Sequence, residues 1–118
     1  MTHAILAPMD ATPIIAELDA KREALTALCR RFGVARLELF GSAARGTDFA
    51  PARSDLDFLV TLTPAARDDL AAFAELREAL EALFGRRVDL LEREAIEASR
   101  NPIRRRRILN EARPLYAA

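Results

Sequence analysis

The sequence predicts an α/β (α+β) domain, a small mixed β-sheet of three or more strands with helices packed against it. Segments of helical period, Ile14 to Phe32 and Leu70 to Leu83, alternate with the short apolar runs VARLELF, LDFLVTL and RVDLLE. The connections that follow the first two runs are long enough for crossovers. Hydrophobic residues make up 51% of 118 positions, enough for one real core and against disorder.

Residues 1–11 read as a flexible N-terminal segment and 12–118 as a single domain. Thr12 can cap and Pro13 suits the first helical position, with Ile14, Leu18, Leu25, Leu28, Cys29 and Phe32 on one helix that Gly33 ends. Alternation predicts a strand at 35–40. GSAARG reads as a tight turn opening a short helix that Gly46 stops, followed by a loop at 47–54. LDFLVTL is apolar on both faces after Asp57, so a central strand is expected. Thr63-Pro64 should cap a long helix through Leu70, Phe73, Leu76, Leu80 and Leu83. Asp68 and Asp69 favour its first turn, and Gly85 stops it. RVDLLE is the third strand and 94–99 a short helical piece. Asn101-Pro102 caps a last helix that Pro114 ends.

Eighteen basic residues balance eighteen acidic ones, so net charge offers no general attraction to nucleic acid or to a membrane. Four consecutive arginines, Arg104–Arg107, spread over about 300° of a helix. They read as a solvated helix surface, and no nucleic-acid partner is expected. Cys29, the single cysteine, reads as core packing. No ligand role is expected for His3 in the N-terminal segment. No apolar run reaches membrane-spanning length, so the expected location is the cytoplasm, with no membrane partner.

The chemistry concentrates in LELFGSAARGTDFAPARSDLDFLV. After a strand, Gly41 lets another group approach the backbone, and Ser42 with the following amides suits a phosphate. Asp55 and Asp57 occupy strand positions i and i+2 and face the same way, roughly 6.5–7 Å apart at Cα. Two such carboxylates can hold Mg²⁺ and leave positions open for substrate phosphates. Asp89 is an acid inside an apolar strand, costly to bury unless paired or bound to a cation. If its strand adjoins the second, it reaches the same pocket; the structural alternative is an ion pair with Arg86, Arg87 or Arg36. With twelve residues between Ser42 and Asp55, phosphate cradle and acidic site suit metal-assisted transfer from a nucleoside triphosphate.

FGSAARG followed by SDLDFLV and VDLL resembles the DNA polymerase β-like nucleotidyltransferase superfamily, and within it the minimal nucleotidyltransferases (MNT) of bacteria and archaea. The resemblance covers nearly the whole chain. It implies the nucleotidyltransferase fold, with Gly41 and Ser42 holding the triphosphate of ATP, and Arg45 nearby as a further phosphate contact. It implies that Asp55 and Asp57 bind two Mg²⁺ ions. Asp89 would bind the catalytic one and help activate the attacking hydroxyl. Such proteins are similar to antitoxins that transfer AMP from ATP to a tyrosine of a partner HEPN-domain ribonuclease toxin. Two alternatives stand beside this: a non-catalytic antitoxin that neutralises by binding, and a small-molecule nucleotidyltransferase.

Overall fold

The computed structural model describes residues 12–45 and 55–118. The N-terminal segment, Gly46 and the loop expected at 47–54 lie outside the described residues. The helix expected over 14–32 is two helices, α1 (Thr12–Ala20) and α2 (Arg22–Arg31). Lys21 leaves helical geometry between them, at φ −103° and ψ 15°. No glycine or proline marks this break. It coincides with a tertiary anchor, the Lys21 ammonium donating to the Leu83 carbonyl oxygen at 2.7 Å.

Strand β1 (Val34–Phe40) runs directly into the short helix α3 (Gly41–Arg45), and β2 (Leu56–Leu62) follows the undescribed loop. Helix α4 (Leu70–Phe84) begins later than Thr63-Pro64. Its cap is Asp69, whose carboxylate accepts from the Ala72 amide at 2.9 Å, while 64–68 forms turns. Gly85 ends it in the left-handed region, as expected. Then come β3 (Val88–Glu92), α5 (Arg93–Glu97) and α6 (Pro102–Glu111), the last capped by the Asn101 side chain on the Arg104 amide. Strand β4 (Arg113–Ala117) was not expected: α6 stops at Glu111, and Pro114 lies within the strand instead of marking the helix end. An edge strand tolerates proline, because a missing N–H on the outer side breaks no ladder bond.

The sheet order is β3-β2-β1-β4. Strand β2 is interior, as its two apolar faces require. It pairs parallel with β3 through the α4 crossover. Strand β1 pairs antiparallel with both β2 and β4, so the connection after β1 is not a parallel crossover. The two-residue period divides the side chains between faces. Leu37, Leu39, Leu56, Phe58, Val60, Val88 and Leu90 pack with residues of α1, α2 and α4 in the larger core. Phe58 and Phe84 meet there at 6.0 Å between ring centroids. Cys29 is fully buried in this core, and burial pushes its thiol up to about 11, which keeps it unreactive. Phe40 and Leu59 point the other way, to Ile96 of α5 and Ile108 of α6. Asp57 and Asp89 lie on this second, smaller face.

Candidate active site

Alternation along β2 sends Leu56 and Phe58 into the larger core and Asp57 to the smaller face. Cross-strand register then places Phe40 of β1 opposite Asp57, and Asp57 beside Asp89 of β3. The chain leaves β1 through Gly41 at φ +74°, a conformation L side chains rarely adopt. A Cβ at Gly41 would overlap the Asp57 carboxylate. Glycine is therefore required twice over, for its backbone angle and for the close approach of the turn to Asp57. We expect Gly41→Ala to strain the turn by about 1–2 kcal/mol. Displacing Asp57 should lower catalysis far more, about a hundredfold, because a 1 Å misplacement near reacting atoms has that effect. Thermal melts and initial transfer rates of the same preparation measure the two losses separately.

Asp57 is half-buried, and its carboxyl is pushed up from 3.8 to about 6. Burial is the largest cause. The neighbouring charges of Asp89 and Asp55 add to it, Arg45 opposes it, and Glu111 adds a smaller push. The three acids expected to act together are thus one electrostatic group on one face. They do not yet form a ligand shell: among the described residues, no three acidic, histidine or cysteine side chains converge closely enough to hold a metal ion. Asp89 is exposed, contrary to the burial expected from its apolar neighbours, because Val88 and Leu90 take the inward positions of β3. The arginines considered as its partners are engaged elsewhere: Arg36 with Glu38 at 3.3 Å, Arg86 with Glu17 at 3.8 Å and Arg87 with Asp55 at 4.0 Å. Asp89 makes no ion pair among the described residues.

A cavity of about 290 Å³ opens beside Asp57. Gly41, Ser42 and Arg45 form one wall, and Arg104, Arg107 and Glu111 of α6 form another. Asp55 and Asp89 do not line it. Helix α3 has only five residues, so its dipole is small, and the groups at this wall with hydrogen-bond donors for an anion are the Ser42 hydroxyl and the guanidinium of Arg45. Arg45, expected as a phosphate contact, stands at the cavity and donates to Glu111 at 2.8 Å.

Helix α6 lies where the sequence predicts a last helix, but its place beside the Gly41-Ser42 turn was not expected from the sequence. Arg104, Arg106 and Arg107 are exposed, as a solvated helix surface requires, and Arg104 and Arg107 also line the cavity beside the Gly41-Ser42 turn. Arg105 folds back to donate to the Ser99 carbonyl oxygen, and Arg106 is exposed. Position 108 held the signal. Residues 104, 107, 108 and 111 share one helix face, and Ile108 is the apolar member that must turn inward.

Residues 21–115 match the family model described as a nucleotidyltransferase domain. The chain belongs to this family. This nucleotidyltransferase is 42% identical over 71 residues to the protein adenylyltransferase MntA of Thermococcus cleftensis, which covers 60% of this chain and 68% of that protein. A solved structure described as a minimal nucleotidyltransferase is 39% identical, covers 92% of this chain and 98% of its own, and superposes with a TM-score of 0.67. The MNT antitoxin complexed with a tri-AMPylated HEPN toxin of Shewanella oneidensis is 18% identical. It covers 86% of this chain and 73% of its own, with a TM-score of 0.55, a likeness of fold.

Proposed function

We propose that this nucleotidyltransferase moves AMP from ATP onto a tyrosine hydroxyl of a HEPN-domain toxin, in a Mg²⁺-dependent reaction that silences the toxin. One observation carries the reading. The Gly41 turn lies against Asp57, whose ionisation burial opposes and whose neighbours Asp89 and Asp55 oppose further. Hard oxygen donors that repel one another are the set a divalent cation relieves. The donor chemistry fits Mg²⁺, with Asp89 exposed and Asp55 partly exposed, so that both can swing towards Asp57.

Asp55 and Asp57 would hold two ions and Asp89 one of them. Bound Mg²⁺ supplies charge neutralisation at the α-phosphate and a lower pKa for the attacking hydroxyl. Gly41 admits the triphosphate to the backbone, and the Ser42 hydroxyl donates to a phosphate oxygen. The tyrosine oxygen forms a bond to the α-phosphorus. The bond from that phosphorus to the β-phosphate oxygen breaks, and pyrophosphate leaves with the electron pair. The hydroxyl proton passes to solvent water on the open side, beside exposed Asp89. The sequence carries neither the P-loop pattern nor the kinase glycine loop, both of which serve γ-phosphoryl transfer. Likeness to protein adenylyltransferase MntA and to the AMPylated HEPN complex supports the acceptor.

Parallel reactions with ATP labelled at the α- or the γ-phosphate, each with Mg²⁺ and a HEPN-domain toxin, test the proposal. Label on a toxin tyrosine from the α position alone is expected. Label from the γ position would make the protein a kinase, and no label from either would remove the protein acceptor.

A further inference from the structure

We propose that Glu111 is an internal stand-in for substrate phosphate, holding Arg45 and Arg107 until a polyphosphate displaces it, and that Arg104 and Arg107 of α6 are the polyphosphate's further ligands. The inference rests on the nucleotidyl-transfer reading for the identity of the ligand, but its geometry is independent of the acceptor. Buried Ile108 packs with Phe40 and Leu59 and fixes the rotation of α6. That rotation aims Arg104, Arg107 and Glu111 at the edge where Gly41 and Ser42 leave β1.

A single atom, Glu111 Oε2, takes both cations: Arg45 Nη1 from α3 at 2.8 Å and Arg107 Nε from α6 at 3.5 Å. The Glu111 side chain is only 18% exposed, so this is not an open surface pair. Arg104 lines the same cavity and makes no ion pair among the described residues. Three guanidiniums thus border one cavity, together with the carboxylates of Asp57 and Glu111, and Glu111 is the one that takes two of the guanidiniums. Guanidinium forks match phosphate oxygens at least as well as carboxylate oxygens. A bound polyphosphate would take over Arg45 and Arg107 and recruit Arg104. When pyrophosphate leaves, Glu111 re-pairs with Arg45 and Arg107, so Arg45, at 28% exposure, is not stranded in a partly dehydrated site, while Arg107, at 65%, stays largely in water. A displaceable counter-ion weakens anion binding in exchange for faster release.

A purely structural Arg45–Glu111 link between α3 and α6 predicts something different. In that case Glu111→Gln would lower stability and leave anion binding unchanged. The test is titration calorimetry with inorganic tripolyphosphate, in EDTA at low ionic strength, with melting curves for every variant. Glu111→Gln should bind tripolyphosphate about tenfold tighter, because a competing charge-assisted hydrogen bond is removed. Arg107→Ala and Arg104→Ala should each bind about tenfold weaker, and Arg107→Lys should recover part of the loss. Unchanged or weaker binding by Glu111→Gln overturns the proposal, as does wild-type binding by both alanine variants. The readout involves no toxin and no metal. These binding shifts in a protein that transfers no AMP would therefore overturn the proposed function and leave this inference standing.

Discussion

Asp57→Asn should abolish AMP transfer and, at pH 8 without ligands, raise the melting temperature. The catalytic loss should be about a thousandfold or more, since losing one group that stabilises transition-state charge already costs about a hundred- to a thousandfold. The stability gain follows from the raised carboxyl. In the folded protein the Asp57 carboxyl is pushed up to about 6, against 3.8 for an unperturbed carboxyl. Between those values the native state holds a proton the unfolded chain has released, so stability falls as pH rises through this window. Above it the full penalty of a charged Asp57 is present. Below about pH 4 the penalty vanishes, so the wild type and Asp57→Asn should converge there. The shift sets an upper limit of about 3 kcal/mol. Water on the half-buried side chain reduces that to about 1 kcal/mol. Melting curves from pH 4 to 8 with and without Mg-ATP measure this directly, and Mg-ATP should stabilise the wild type and not the variant. A variant that melts below the wild type at pH 8 would contradict the electrostatic account of the site. The same variant, co-expressed with the toxin, separates modification from masking: neutralisation that survives without transfer would mean that binding alone suffices.

Arg93→Ala should be the most destabilising single change outside the apolar core. Glu38 of β1 is the one charged side chain among the described residues that is buried, at 2% exposure. Arg93, the first residue of α5, donates to both its oxygens at 2.7 and 2.9 Å. Arg36 stands at 3.3 Å but is nearly half exposed. Removing Arg93 leaves a buried carboxylate with one solvated partner, a loss of about 3 kcal/mol, or about 10 °C in melting temperature for a domain of this size. The hydrogen bonds to Glu38 also raise the guanidinium pKa of Arg93 above its ordinary value. The double variant Glu38→Leu, Arg93→Leu should recover most of the loss, because an apolar pair leaves no charge unmatched. A double variant as unstable as Arg93→Ala would show that packing of the Arg93 stem, not charge, holds α5 to the sheet. The pair bears on function through position, since α5 covers the same sheet face as Asp57 and Asp89.

The sequence by itself determined the parts of this protein that depend on neighbours along the chain. The two-residue period of DLD places Asp57 opposite the inward-facing Leu56, and the apolar content of β2 decides that it is interior, whereas the exposure of Asp89 is a finding of the structure. Gly41 is legible as a position of close approach, because a glycine between a strand and a helix has few other reasons to be there. Only the tertiary structure decided the rest. The antiparallel course of β1 and β2 and the strand at Arg113–Ala117 depend on which edges are available for pairing, and no local pattern reports that. Glu38 reads as an ordinary polar residue until Arg93, 55 positions away, supplies its counter-charge. Four consecutive arginines look alike in sequence. All three of Arg104, Arg106 and Arg107 are exposed, but because Ile108 must be buried against Phe40, only Arg104 and Arg107 border the cavity.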